Sequence, residues 1–230
     1  MRVPLWLEFK GRRVLVVGGG RVGTRRALKF LDAGAEVKVL SLWFSDELRR
    51  RAREDKRLVL VEGDAGDEEL LDELIRWADM VVIATDNPEV NEKVWRIAEK
   101  YRRWVNDATN AERTEVVVPY EAEVHGLRIA VTSEGKTGVA ARHARDRIVE
   151  VLSRDVEIKT LYDAMKEAKK ILKATISNAK QRFPIYFKIE KDPVFAEAVK
   201  RGDVEAAIRR AREIIEEEAA RIRQSEPHVK

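Results

Sequence analysis

Three glycines near the start of the chain have the spacing of a phosphate-binding turn. Gly18, Gly20 and Gly23 form a G-x-G-x-x-G pattern directly after an apolar run and directly before an amphipathic segment. At this spacing the first glycine permits a tight turn, the second lets the backbone approach a pyrophosphate, and the third lets the helix pack against the strand. The amides and dipole of that helix favour phosphate charge. The pattern predicts a dinucleotide-binding turn that includes Arg21 and Val22.

The end of the second predicted strand bears on the type of dinucleotide. Such strands usually end in an Asp or Glu that accepts the ribose 2′-hydroxyl of NAD, whereas here the strand ends at Leu40 and Ser41. Arg21, Arg25 and Arg26 are candidates for contact with a phosphate. We expect NAD as the cofactor, with Ser41 beside it, and the choice between NAD and NADP stays open.

A second group of candidate cofactor-binding residues follows a later strand. The run MVVIATD, residues 80–86, predicts a buried strand. Ligands of a parallel sheet bind at the carboxyl ends of its strands, so Ala84, Thr85 and Asp86 are expected to line the nicotinamide side of the cleft. Asn91 is either part of that site or an ordinary polar position on the next helix.

The surrounding elements fit such a site. Strands are predicted at 14–17, 36–40, 57–64, 80–86 and 104–106, and helices at 22–33, 46–53, after Asp67 and at 87–102. Strict alternation of strand and helix is typical of a parallel sheet with helices on both faces.

The pattern changes after about residue 111. Two strand-like runs flank His125-Gly126, and from about residue 155 the pattern is helical, with breaks predicted at Phe183-Pro184, Asp192-Pro193 and Gly202-Asp203. We therefore predict an α/β fold with a Rossmann-type domain at 1–112, a small mixed α+β segment at 113–150 and a helical C-terminal domain at 151–230.

Composition excludes several classes of protein. The chain has 230 residues, and 45 basic residues nearly balance 41 acidic ones, in stretches such as EAAIRRAREIIEEEAARI, so no nucleic-acid partner is expected. The absence of cysteine excludes disulfides, thiolate metal sites and cysteine nucleophiles. No apolar run approaches the roughly 20 residues that cross a bilayer, and we expect a cytoplasmic protein without a membrane partner. The three histidines, His125, His143 and His228, lack the spacing of a metal site.

Taken together, the motifs resemble the precorrin-2 dehydrogenase family, which also forms the N-terminal module of sirohaem synthases. The resemblance covers residues 4–150 and is carried by PLWLEFKGRRVLVVGGGRVGTRRALKFL, VVIATDNPEVN, VNDATNAERTEVVVP and LRIAVTSEGKTGVAARHARDRI. It implies a Rossmann domain that binds NAD, a mixed segment that forms a homodimer, and a helical part that closes over a tetrapyrrole. The implied reaction is the NAD-dependent oxidation of precorrin-2 to sirohydrochlorin, and some relatives are also ferrochelatases.

The resemblance also implies residues for the tetrapyrrole. A substrate with many carboxylates attracts cations and helix N-termini. The expected substrate-binding residues are Asn106, Thr109, Lys136, Thr137, Arg142 and Arg145, with His143 a weaker candidate. The family's Ser-Pro in the later loop is Thr137-Gly138 here.

The position of the proton acceptor departs from the family. Thr109 stands where the family usually has an aspartate, and Asp107 lies two residues earlier. We predict Asp107 as the catalytic proton acceptor; otherwise the proton goes to water or the substrate, or part of the activity is lost. Thr109 also supports the alternative of a non-catalytic Rossmann protein that binds NAD or a tetrapyrrole as a carrier or sensor. A regulatory Rossmann domain of the potassium-transport type would share the glycine pattern alone.

Overall fold

The computed structural model describes residues 2–225. The chain forms two compact units. Among the described residues, the first unit comprises 2–118 and 134–136, and the second comprises 119–133 and 137–225. The division into three parts at residues 112 and 150 stays a prediction.

The first unit is built on a five-stranded sheet in which every strand pair is parallel. Its strands are β1 (Arg13–Val17), β2 (Glu36–Ser41), β3 (Leu58–Glu62), β4 (Met80–Ile83) and β5 (Trp104–Asp107). Their order is β3-β2-β1-β4-β5. The strand order reverses between β1 and β4, where ligands of such sheets bind beyond the carboxyl ends. The predicted Rossmann-type sheet is confirmed.

Four helices cover the two faces of this sheet. They are α1 (Arg21–Asp32), α2 (Asp46–Glu54), α3 (Glu68–Trp77) and α4 (Pro88–Lys100). Side chains alternate along a strand, so Val14 and Val16 join the core on the side of α1 and α2, whereas Leu15 and Val17 join the core on the side of α3 and α4. Burial on both faces explains the continuous apolar run of β1.

The described part of the second unit contains a hairpin and five helices. The hairpin pairs β6 (Tyr120–Val124) with β7 (Leu127–Val131), and the helices are α5 (Gly138–Ser153), α6 (Val156–Thr175), α7 (Ala179–Glu190), α8 (Pro193–Lys200) and α9 (Val204–Ser225). His125 and Gly126 make the turn with φ of 52° and 80°, the conformation that two-residue hairpin turns favour. Leu172, Ile189 and Phe195 lie in the core of the four later helices.

Several predicted boundaries are wrong, and the strand predicted at 57–64 spans Leu58–Glu62. Pro184 lies inside α7 rather than at a break, and the break falls at residues 176–178, where the guanidinium of Arg182 donates to the carbonyls of Ile176 (2.7 Å) and Ser177 (2.8 Å). The strand predicted to residue 86 ends at 83, and the helix predicted to residue 102 ends at 100, because Arg102 adopts a φ of 52°. None of the helices in the described range is long and apolar enough to cross a membrane.

Candidate functional site

The predicted phosphate-binding turn joins β1 to α1. Gly18 has a φ of 114°, and a Cβ added there would lie 2.4 Å from the carbonyl oxygen of Ala84. A Cβ at Gly23 would lie 1.9 Å from the carbonyl oxygen of Gly18. Neither position accepts a side chain, since the turn packs backbone against backbone.

Gly20 lies in a different environment. A Cβ there would meet nothing nearer than the ring of Trp43 at 3.8 Å. Gly20 is also the N-cap of α1, and no side chain within residues 2–225 caps this helix. The first backbone bond of the helix runs from the amide of Thr24 to the carbonyl of Gly20 (2.8 Å), which leaves the three preceding amides without helical acceptors. Open space beside unused amides fits the pyrophosphate of a dinucleotide.

Ser41 contacts the glycine turn from the end of β2. Its Oγ accepts a hydrogen bond from the amide of Gly19 (3.0 Å). A Cβ at Gly19 would lie 2.2 Å from the carbonyl oxygen of Trp43. Ser41 therefore lies at the predicted cofactor side of the sheet and orders the glycine turn with its hydroxyl.

The carboxyl ends of β4 and β5 are joined by a polar network. The Oγ1 of Thr85 donates to the Oδ1 of Asn91 (2.5 Å), and the Nδ2 of Asn91 donates to the carbonyl of Thr85 (3.1 Å) and to the Oγ1 of Thr109 (3.3 Å). Asn91 is 2% exposed. It is therefore a buried link between the two strand ends, while Asp86 is exposed beside it.

The carboxylate of Asp107 faces its own loop. Its Oδ1 accepts from the amide of Thr109 (2.8 Å), the Oγ1 of Thr109 (2.7 Å) and the amide of Asn110 (3.0 Å). Its Oδ2 accepts from the Nε (3.1 Å) and Nη2 (2.9 Å) of Arg113. The side chain has no exposed surface. Together, the two carboxylate oxygens thus accept hydrogen bonds from five donors of residues 109–113.

The partners of Arg113 extend this network to α4. Its Nη1 forms a close ion pair with Glu92, and its guanidinium lies 5.6 Å from the ring centroid of Trp95. The Oγ1 of Thr114 accepts from the amide of Asp107 (3.1 Å) and donates to the carbonyl of Asp107 (2.7 Å). Residues 107–114 are therefore held at both ends.

Asn106 is also enclosed by protein. It is 3% exposed, and its Nδ2 donates to the carbonyl of Val116 (2.8 Å). Its Oδ1 is buried and has no hydrogen-bond partner among the described residues. In this conformation Asn106 contacts the protein interior, and its role toward a substrate stays a prediction.

The remaining predicted substrate residues divide between the two units. Lys136 belongs to the first unit and is exposed. Thr137 belongs to the second unit and caps α5, its Oγ1 accepting from the amide of Ala140 (3.4 Å). Arg142 is exposed on α5, whereas Arg145 donates to the carbonyl of Glu121 (2.9 Å). Their joint action on one substrate stays a prediction.

The histidines and acids give no metal centre in the described part of the chain. No group of three His, Asp or Glu side chains there could hold a metal ion. His143 is exposed on α5, the Nε2 of His125 lies 3.0 Å from the carbonyl oxygen of Leu152, and His228 lies outside the described residues.

Comparisons with known proteins identify the family. Residues 5–120 match a family model described as "Putative NAD(P)-binding". A protein of Methanocaldococcus jannaschii named "Putative precorrin-2 dehydrogenase" is 31% identical over 203 residues, which cover 86% of this chain and 95% of that protein. The chain belongs to the precorrin-2 dehydrogenase family. The resemblance of the sequence motifs to this family is confirmed.

Other relatives are longer proteins. "Siroheme synthase 2" of Pectobacterium atrosepticum is 33% identical over 67% of this chain but only 32% of its own length. A "Siroheme synthase" of Neisseria meningitidis is 34% identical over 65% of this chain and 30% of its own length. The chain thus spans about a third of these family members. A solved structure named "SirC, precorrin-2 dehydrogenase" is 21% identical, has a TM-score of 0.68 and covers 94% of this chain and 99% of its own, which shows a shared fold.

Sequence reasoning missed Arg113, Glu92 and Thr114. Arg113 lies within VNDATNAERTEVVVP, where Asn106, Asp107 and Thr109 were the predicted site residues. The single cation between two predicted strands was the signal that a carboxylate of this segment has a local partner.

Proposed function

We propose that the chain is an NAD-dependent precorrin-2 dehydrogenase that oxidises precorrin-2 to sirohydrochlorin in sirohaem biosynthesis. The observation that carries the proposal is the open glycine turn around Gly20, in a chain that aligns with 95% of a relative of that name. The oxidation removes two electrons and two protons from the macrocycle, as one hydride and one proton. Bound NAD supplies the hydride acceptor, and the chain must bind, orient and handle the proton.

The proposed cofactor contacts lie at the carboxyl edge of the sheet. The amides at the start of α1 favour the charge of the pyrophosphate, and Ser41 keeps the turn in shape. The nicotinamide of the cofactor would lie at the end of β4, where the hydrogen bond between Thr85 and Asn91 orders the backbone. The proposed cofactor-binding residues are Gly18, Gly20, Arg21, Val22, Gly23, Ser41, Ala84, Thr85 and Asp86.

The proposed substrate contacts are cations and hydroxyls. Lys136 and Arg142 are exposed and suit the carboxylate arms of a tetrapyrrole. Thr137 begins α5, so a carboxylate near it would benefit from the helix dipole. The full proposed set is Asn106, Thr109, Lys136, Thr137, Arg142 and Arg145.

Asp107 was predicted as the proton acceptor, and its surroundings favour a different role in the same reaction. Direct proton transfer would require donors from Thr109 or Arg113 to leave its oxygens. We propose that Asp107 acts as a positioning residue, which holds the loop 107–114 and the hydroxyl of Thr109 at the end of β5. The proton released on oxidation then passes to water or to a basic atom of the substrate.

A homodimer through the hairpin and α5 is also proposed. In the described chain, α5 is 16 residues long but has Ala141 as its single buried residue. Val139, Ile148 and Val151 are 63%, 37% and 54% exposed. A second copy of the chain would cover these apolar side chains and remove them from water. We also propose a cytoplasmic location for the enzyme.

The test is an anaerobic assay with enzymatically generated precorrin-2. Absorbance is followed after NAD or NADP is added, first without iron and then with iron. The sirohydrochlorin spectrum should appear together with reduced cofactor, and an iron-dependent change above the protein-free control would add ferrochelatase activity. Binding of both ligands without oxidation would overturn the proposal in favour of a carrier or sensor.

A further inference from the structure

A free carboxylate lies next to the strand end where an acid is expected. In the register of the sheet, Glu62 of β3 is the partner of Ser41 of β2. Leu60 and Val39, two residues before each, pack into the core on the side of α1. Side chains alternate along a strand, so Glu62 and Ser41 continue that same face, on neighbouring strands roughly 4.8 Å apart.

The two side chains differ in whether the protein already uses them. The hydroxyl of Ser41 is engaged by the amide of Gly19. Glu62 is exposed, and no hydrogen bond or ion pair connects its carboxylate to any residue in the range 2–225. The amide of Gly63 donates to the carbonyl of Ser41 (3.2 Å), which ties the ends of the two strands together. The free acceptor is therefore on β3, on backbone that is tied to the end of β2.

We propose that Glu62 determines the preference for NAD over NADP. Its carboxylate accepts a hydrogen bond from a ribose hydroxyl of the adenosine. In other such domains an acid at the end of β2 accepts this bond. A 2′-phosphate would bring a second negative charge against it, which disfavours NADP. The inference rests on the proposed function, since it assigns a residue to the cofactor of that reaction. The opposing cation is Arg21, which is exposed in the first turn of α1 and would favour a 2′-phosphate if it determined the choice.

The test compares dissociation constants for NAD and NADP, measured by calorimetry without substrate. Glu62→Gln removes the charge and keeps the shape of the side chain. The control Glu36→Gln makes the same change at the exposed first position of β2, at the amino ends of the strands and away from the proposed cofactor site. We expect the native protein and Glu36→Gln to prefer NAD. We expect Glu62→Gln to bind NAD roughly 10-fold more weakly and to discriminate less against NADP. In the double variant S41D/E62Q, which moves the carboxylate to β2, the preference for NAD should return.

Two results would overturn the inference. A native protein that prefers NADP would assign the choice to the arginines of α1, and an unchanged ratio of the two constants in Glu62→Gln would leave Glu62 without a role. In either case oxidation of precorrin-2 would still support the proposed function. If the native protein binds neither dinucleotide, the proposed function fails and the inference fails with it.

Discussion

Replacing Asp107 by Asn distinguishes a positioning residue from a proton acceptor. The amide keeps one oxygen for the donors of Thr109 and Asn110, but its NH2 group would face two N–H groups of Arg113. The guanidinium is 18% exposed and would lose its fully buried partner. Breaking such a pair on one side costs about 3–5 kcal/mol. Because Arg113 keeps Glu92, we expect a loss of about 3 kcal/mol in the free energy of unfolding of the first unit.

Tryptophan fluorescence during urea unfolding measures this loss. The five tryptophans all lie in the first unit, at positions 6, 43, 77, 95 and 104, so the signal reports on that unit alone. Glu36→Gln is the matched control, and its stability should stay within about 0.5 kcal/mol of native, as for most surface changes. The double variant D107N/R113Q should be more stable than D107N, because a Gln oxygen can accept from the new amide.

The pH dependence of turnover supplies the second readout. If Asp107 positions the loop, D107N should lower kcat at every pH and leave the shape of the pH profile unchanged. If Asp107 accepts the proton, the limb of the profile that reports its ionisation should disappear. If D107N is as stable as the native protein, the ion pair with Arg113 does not stabilise the first unit as argued. If D107N loses the limb of the pH profile and keeps normal NAD affinity, Asp107 is the proton acceptor.

Three further changes test other parts of the molecule. Gly23→Ala would place a Cβ 1.9 Å from the carbonyl oxygen of Gly18 and should abolish NAD binding in calorimetry. The hydrogen bond from Arg210 holds the pKa of Asp192 below its ordinary value, so its contribution to stability is present above about pH 3.9 and is lost as pH falls through the lowered pKa. Asp192→Asn should therefore be less stable than native at pH 6 by far-UV circular dichroism, with a difference that shrinks below pH 4. Val151→Asp, on the exposed face of α5, should convert the proposed dimer to monomer in light scattering.

Elements with strong local patterns could be predicted from the sequence. β1 is apolar from Val14 to Val17 because both of its faces are buried there, and the turn after it requires Gly18 because of its positive φ. Asn87-Pro88 correctly indicated the start of α4, where the Oδ1 of Asn87 accepts from the amides of the first turn. Each of these signals arises within a few residues of the feature that it predicts.

Features that depend on distant partners could not be predicted. Pro184 indicated a break, but Ile185 and Ile189 are buried in the core of the second unit, and their packing outweighs the lost hydrogen bond of a proline inside a helix. Likewise, Arg113 indicates a local partner for a carboxylate, but the sequence does not show whether the carboxylate of Asp107 faces a cleft or its own loop. The answer depends on Arg113, six residues away, and on Glu92 of α4.

The pairing of Asp107 with Thr109 gives the departure from the family a physical explanation. The hydroxyl of Thr109 donates to Asp107 at 2.7 Å and accepts from Asn91. An ionised aspartate at position 109 could not donate, and two carboxylates about 4 Å apart repel each other by about 4 kcal/mol at an effective dielectric constant near 20. A chain that buries an acid at 107 against Arg113 therefore needs a donor at 109. Thr109 is thus the donor that matches the buried acceptor at Asp107.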